Sequence, residues 1–322
     1  MLSGVQITRT AVLGLGLIGG SLLLRLAKMQ ASAIGYDADP GTRAAVADRL
    51  GEHAVASDLA AAIEGADLVV LAVPLPAVPV VLSALAEVGY RGLLTDVTSV
   101  KDPVRALVST ELAGARWVGG HPMAGKESSG FGVADEDLLN GCAWALCLDD
   151  EVLLDDWLAV ARWALAVGGR VTPLTSEEHD TAVARISHLP HVVAAALTIG
   201  AADGPVGPAA LGLGAGSFRD ATRVAATRVA LTAAMCGGNA LALAVEVDAL
   251  IERLTSARQV LTDPEALSDW LESARAIRAN WPPPGAKASV RLTRDELLFL
   301  GRGGGYLIEI HESSADVIQP EA

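Results

Sequence analysis

Four groups of residues have the types and spacing for chemistry. His121 follows Trp117-Val118-Gly119-Gly120, read as a short strand, and enters the stretch Pro122-Met123-Ala124-Gly125-Lys126-Glu127, read as a loop. A histidine just past a strand end can take a hydroxyl proton near neutral pH, because its own pKa lies there. A structural loop histidine is the competing reading. Ser99, just past the strand read over 92–97, is either a hydrogen-bond partner for the same step or the start cap of the next helix. His188 and His191, in Ser187-His188-Leu189-Pro190-His191, share one face if the helix survives Pro190. A zinc site there would need a third ligand that no pattern supplies, so no metal is expected. Arg219 and Arg223 flank Asp220 behind a glycine-rich loop. Arginine grips carboxylates bidentately, so one of the two is expected to bind substrate and the other to pair internally.

These side chains need a scaffold, and its organising stretch is Thr10-Ala11-Val12-Leu13-Gly14-Leu15-Gly16-Leu17-Ile18-Gly19-Gly20-Ser21. An apolar run enters G-x-G-x-x-G, and a helical pattern follows, which is the strand–turn–helix order of a dinucleotide site. Gly14 permits the sharp turn, Gly16 lets a pyrophosphate approach the backbone, and Gly19 lets the helix pack on the strand. The first helical N–H groups, around Leu17 and Ile18, would face the phosphates. Asp37 ends the next apolar strand about 20 residues on, where an acidic side chain accepts ribose hydroxyls. Asp37 and Asp39 would repel a 2′-phosphate, so NAD is expected rather than NADP. The carboxyl end of the strand read over 67–73 places Val73 and Pro74 beside the same cofactor.

Strands and helices alternate as far as residue 174, predicting one doubly wound parallel sheet over 1–174. Asp39-Pro40, Asp58 and Asp102-Pro103 read as helix caps. Thr175-Ser176-Glu177-Glu178 is a capping box that opens an all-helical region over 175–284, with Asn239 and Asp263 capping its later helices. Its alanine- and leucine-rich faces suit burial in a homodimer. Residues 285–322 form a tail with candidate strands over 289–292 and 306–310 and a Gly303-Gly304-Gly305 turn.

Across 322 residues the net charge is −14, which leaves nothing to neutralise nucleic acid or an anionic membrane. No apolar run reads as long enough for a membrane span. Cys142, Cys147 and Cys236 make no metal pattern and suit a reducing, cytoplasmic setting. The expected partner is therefore a small molecule.

Taken together, Gly14 to Ser21, Asp96-Val97-Thr98-Ser99-Val100-Lys101, and the run from Gly119-Gly120-His121-Pro122-Met123-Ala124-Gly125 to Gly130 form a specific set. It is completed by His179-Asp180, Ser187 to His191, and Phe218 to Ala225. This set resembles the prephenate and arogenate dehydrogenase family of tyrosine biosynthesis, over about residues 10 to 280. The resemblance implies NAD-dependent oxidative decarboxylation, with His121 as base at the ring hydroxyl and Ser99 holding that hydroxyl. Arg223 would bind a substrate carboxylate, and Glu127, His188 and His191 would line or order the pocket. The substrate would be prephenate, with arogenate or 4-amino-4-deoxyprephenate as alternatives. β-Hydroxyacid dehydrogenases also join a Rossmann domain to a helical one, but use a lysine on the helical domain. This chain has none between Lys126 and Lys287. A non-catalytic NAD sensor would have no use for His121, Ser99 and Arg223 together.

Overall fold

The computed structural model describes residues 6–126 and 128–321. The chain forms two compact units, Met1–His179 with Gly285–Ala322, and Asp180–Pro284.

In the first unit, β1 (Arg9–Leu13), β2 (Ser32–Tyr36), β3 (Leu68–Leu71), β4 (Leu93–Asp96) and β5 (Arg116–Val118) make a parallel sheet in the order β2-β1-β3-β4-β5. Alternate residues go to opposite faces, as a strand dictates. Val12, Leu68, Val70, Leu93 and Val118 join one core cluster, while Ala11, Leu13, Val69, Leu71, Leu94 and Trp117 join the other. The connections are α1 (Leu17–Lys28), α2 (Pro40–Leu50), α3 (Leu59–Ile63), α4 (Val78–Glu87) and α5 (Asp102–Glu111). Asp39 and Asp58 cap as expected, accepting from the Thr42 and Ala61 amides. Asp102 does not: it is the first residue of α5, and Lys101 occupies the cap position without capping through its side chain.

The single parallel sheet expected through residue 174 is in fact two sheets. After β5 the chain breaks at Gly119 and starts β6 (Gly120–Pro122), which pairs antiparallel with β7 (Ala143–Cys147); β7 pairs parallel with β8 (Arg170–Leu174). The helix α6 (Leu154–Ala166) joins the last two. The sheet is finished by the tail, through β9 (Gly285–Arg291), β10 (Tyr306–Ile310) and β11 (Ser314–Pro320), in the order β6-β7-β8-β10-β11-β9. Residues 285–321 thus belong to the first unit. A helix over Arg294–Arg302 buries Leu297 and Leu300 in the same core as Trp144 and Val171. That helix lies so close to β8 that a Cβ on Gly301 would fall 1.7 Å from the Pro173 carbonyl oxygen.

The helix α7 (Ser176–Val183) begins in the first unit. Its capping box is reciprocal: the Thr175 amide donates to Glu178 and the Glu178 amide to the Thr175 hydroxyl. The second unit continues through a π-helical turn, Ala184–His188, into α8 (Leu189–Ala202). Then follow α9 (Gly207–Gly212), α10 (Gly216–Thr222), α11 (Val229–Gly238), α12 (Ala240–Val260) and α13 (Pro264–Ala279). Among the described residues 180–284 there is no strand. Pro190 has no N–H for the preceding turn, and the widened π turn just before it lets the helix run on. The resulting 27-residue run, Ser176–Ala202, is long and apolar enough by length and composition to cross a membrane, contrary to the expectation from sequence. Only 28% of its apolar window is buried within this chain. Other apolar side chains of this unit stand in the open, among them Leu213, Val229, Leu241 and Ile277.

Candidate active site

In an open parallel sheet, ligands bind at the carboxyl ends of the strands where the strand order reverses. Here that point lies between β1 and β3. The glycine turn leaves β1 there, and Val73 and Pro74 leave β3. Gly14 has φ +96°, and a Cβ on it would sit 2.6 Å from the Ala72 carbonyl oxygen and 2.8 Å from a Val73 methyl. A Cβ on Gly19 would meet the Gly14 oxygen at 1.9 Å, so this glycine is required by packing. Gly16 differs, since a Cβ there would meet nothing within 4 Å. The space in front of it is open, and α1 begins beside it with no side-chain cap and no acid in its first turn. The first-turn amides, including those of half-buried Leu17 and Ile18, are not taken by a cap. This is a cradle fit for a pyrophosphate. Asp37 is tied to it: one carboxylate oxygen accepts the Leu15 amide at 2.7 Å and the other the Asp39 amide at 2.9 Å. The Arg43 guanidinium, 5.7 Å over the Tyr36 ring, donates to the Asp37 and Ala38 carbonyls.

At the end of β4 stands a second cluster. Asp96 and Lys101 are both fully buried and bonded to each other. Asp96 also accepts from the Thr98 amide at 3.0 Å, the Thr98 hydroxyl at 2.6 Å and the Trp117 indole at 3.1 Å. Lys101 donates onward to the Gly120 carbonyl at 2.5 Å. The residue after that carbonyl is His121. It lies within β6, opposite Ala145 and only 9% exposed, rather than in the expected loop. Its Nδ1 is 2.8 Å from Nε2 of His179, a residue 1% exposed on the first turn of α7. The rings meet edge to face. That first turn is anchored in its own right, as Ser176 donates through its amide and hydroxyl to buried Asp149. Half-buried Ser99 sits between Thr98 and Lys101 in the turn after β4. Glu127 lies outside the described residues. Its neighbour Lys126 is paired with Asp135 at 3.2 Å.

The helical unit holds the remaining candidates. His188 is fully buried, and burial pushes its pKa down to about 4, so the ring is neutral. His191 is also pushed down, by burial and by the Arg223 guanidinium, against a pull from the Val224 carbonyl. His188 Nε2 and His191 Nδ1 are buried without a hydrogen-bond partner among the described residues. Arg223 is exposed at the start of a short 3₁₀ turn. Arg219 and Asp220 form a 3.8 Å pair in which both side chains are 79% exposed. Asn239, expected to cap α12, makes no cap bond; its amide donates to the Asp180 carbonyl at 2.7 Å and faces His188 Nδ1 at 3.1 Å.

Sequence reasoning assigned no role to Asp96, Lys101 or His179, and read Asn239 only as a helix cap. The stretch Asp96 to Lys101 and the His179-Asp180 pair carried the resemblance, but nothing local shows that they meet residues tens of positions away.

Comparison with known proteins shows the family. Residues 21–172 match the family described as prephenate dehydrogenase, nucleotide-binding domain, and residues 175–273 that described as prephenate dehydrogenase, dimerization domain. The cyclohexadienyl dehydrogenase of Zymomonas mobilis is 33% identical over 281 residues, covering 83% of this chain and 94% of its own. Synechocystis arogenate dehydrogenase is 28% identical with a TM-score of 0.75, over 85% of this chain and 99% of its own. Prephenate dehydrogenase from A. aeolicus, solved with hydroxyphenyl propionate and NAD+, shares the fold with a TM-score of 0.78 at 24% identity, over 85% of this chain and 98% of its own.

Proposed function

The chain belongs to the prephenate dehydrogenase family of oxidoreductases, and on that premise we propose that it converts prephenate to 4-hydroxyphenylpyruvate with NAD. The observation that carries this reading is the buried His121–His179 pair, whose His121 lies on a strand pinned by Lys101. The open Gly16 cradle and the Asp37 carboxylate suit an unphosphorylated adenosine ribose and its pyrophosphate. When bound, NAD supplies the acceptor for the hydride that leaves the ring.

The protein's own part is positioning and one proton. With the shared proton on His121 Nδ1, directed at His179, Nε2 is the basic atom of the His121 ring. It takes the proton of the ring hydroxyl as hydride departs. Loss of the ring carboxylate as carbon dioxide then leaves an aromatic ring, whose phenolate oxygen recovers that proton. Aromatisation supplies the driving force, so orientation is what the protein must add. Ser99 is assigned to the same hydroxyl and Arg223 to a substrate carboxylate. Glu127, His188 and His191 are assigned to the pocket, with Arg219 in reserve should Arg223 prove structural. The exposed apolar side chains of the helical unit are assigned to a homodimer interface, and the compartment to the cytoplasm.

The test is NADH formation with prephenate, arogenate and 4-amino-4-deoxyprephenate, each with NAD and NADP. We expect turnover of prephenate with NAD. A higher kcat/KM for arogenate moves the assignment to that substrate, as the name of the Synechocystis relative would suggest. No turnover of any of the three contradicts the reading.

A further inference from the structure

Asn239 ends α11 and is 6% exposed. Its side-chain nitrogen reaches two atoms, the Asp180 carbonyl oxygen and His188 Nδ1. A carbonyl only accepts, so the amide must present its NH2 and not its oxygen at this place. The second amide hydrogen then goes to His188 Nδ1, which has to be the bare, accepting nitrogen. A neutral imidazole that is bare at Nδ1 carries its proton on Nε2. His188 is fully buried, and burial keeps it neutral. Its Nε2 has no hydrogen-bond partner among the described residues. A buried N–H is thus specified by two hydrogen bonds on the far side of the ring and then left unused, against the strong tendency of buried polar groups to be paired.

The next histidine shows the opposite polarity. His191 bonds the Val224 carbonyl, and its Nδ1 is the unpartnered atom, so Nε2 is the donor and Nδ1 is bare. One ring therefore offers a donor and the other an acceptor, three residues apart across Pro190.

We propose that Asn239 is a positioning residue which locks His188 as the Nε2–H tautomer, and that this N–H donates to a carboxylate or keto oxygen on the substrate's side chain. The ligand half of this inference rests on the dehydrogenase reading above. The tautomer half does not.

The experiment labels the histidines of the full chain with 15N and reads the two ring nitrogens of His188 at neutral pH, with His188→Gln giving the assignment. We expect Nε2 protonated and Nδ1 bare, and a shift of the Nε2 signal on adding 4-hydroxyphenylpyruvate. In Asn239→Leu the ring should lose its single tautomer. KM for the cyclohexadiene substrate should rise roughly 10-fold or more, while kcat stays within about threefold and KM for NAD is unchanged. A wild-type ring protonated at Nδ1, or an Asn239→Leu substrate KM within about twofold of wild type, overturns the inference. Should the variant fail to fold, the wild-type spectrum and its response to 4-hydroxyphenylpyruvate still decide it. Absence of NADH formation with every substrate overturns the dehydrogenase reading and the ligand half with it, while the spectrum judges the tautomer alone.

Discussion

Two buried polar clusters in this molecule are built on opposite plans. Around Asp96, one carboxylate takes four donors: an ammonium, a hydroxyl, an amide and an indole. Around His188, two imidazoles keep one nitrogen each without a partner among the described residues. Burial is similar, so the difference lies in what is satisfied. A buried charge in a low dielectric demands partners, and a cluster that supplies them fixes its surroundings. Here it fixes β6, through the bond from Lys101 to the carbonyl preceding His121. A neutral histidine tolerates an unpaired nitrogen at modest cost, which keeps a hydrogen bond available to a ligand. On the proposed function, support for the reactive group and recognition of the substrate would thus be distinguishable by counting hydrogen bonds.

Substitutions can break that comparison or sharpen it. The largest effect on stability is expected from Lys101→Met. It leaves the Asp96 charge buried and unpaired, and urea unfolding should show a loss of about 3–5 kcal/mol. A loss under about 1 kcal/mol would mean that the cluster supports nothing. Arg294→Ala should come next. Its guanidinium donates to the Leu148, Asp149 and Val152 carbonyls and ties the C-terminal segment to the loop after β7. A loss of about 1.5–3 kcal/mol is expected, with NAD affinity unchanged. His188→Phe should cost less, about 1 kcal/mol, because only the Asn239 bond is forfeited.

The same residue gives a pH signature. His188 is held near 4 in the folded chain, against about 6.5 when unfolded. Between those values the unfolded chain binds more protons, so stability falls as pH is lowered through that window. In His188→Phe the dependence should be shallower, as pH-dependent urea melts would show. The smallest stability effect belongs to Gly16→Ala, whose added methyl enters open space, whereas Gly19→Ala would press on the Gly14 oxygen. Equal melting temperatures for wild type and Gly16→Ala, with weakened NAD binding by calorimetry, would mark Gly16 as a ligand position.

Much of the fold was legible from local sequence. The run from Ala11 to Gly20 states strand, turn and helix in consecutive residues, and the caps at Asp39, Asp58, Asp263 and the Thr175 box are equally local. The break into a second sheet was not, because Trp117 to Gly120 read as one short strand and His121-Pro122 as the start of a loop. Only the pair Gly119-Gly120 marks it, and Gly120 is forced by the Asp96 carbonyl, which would lie 2.6 Å from its Cβ. The tail held a readable signal that went unused: Thr293-x-x-Glu296 before Leu297, with Thr293 capping the helix. Its place beside β8 was not readable, since it depends on pairing across more than a hundred residues. Asn239 and His179 failed for the same reason. Asparagine before a helix usually caps it, and only the fold brings Asp180 and His188 to its amide.

The central claim is that His121 removes the hydroxyl proton, and the pH dependence of kcat in wild type and His121→Asn tests it most directly. The wild type should lose activity on the acid side with an apparent pKa near ~6.5. His121→Asn, folded and still binding NAD, should lose roughly 10²–10⁴-fold in kcat, and its residual activity should lack that acid limb. A folded His121→Asn protein with near-normal kcat and an unchanged pH profile would contradict the account.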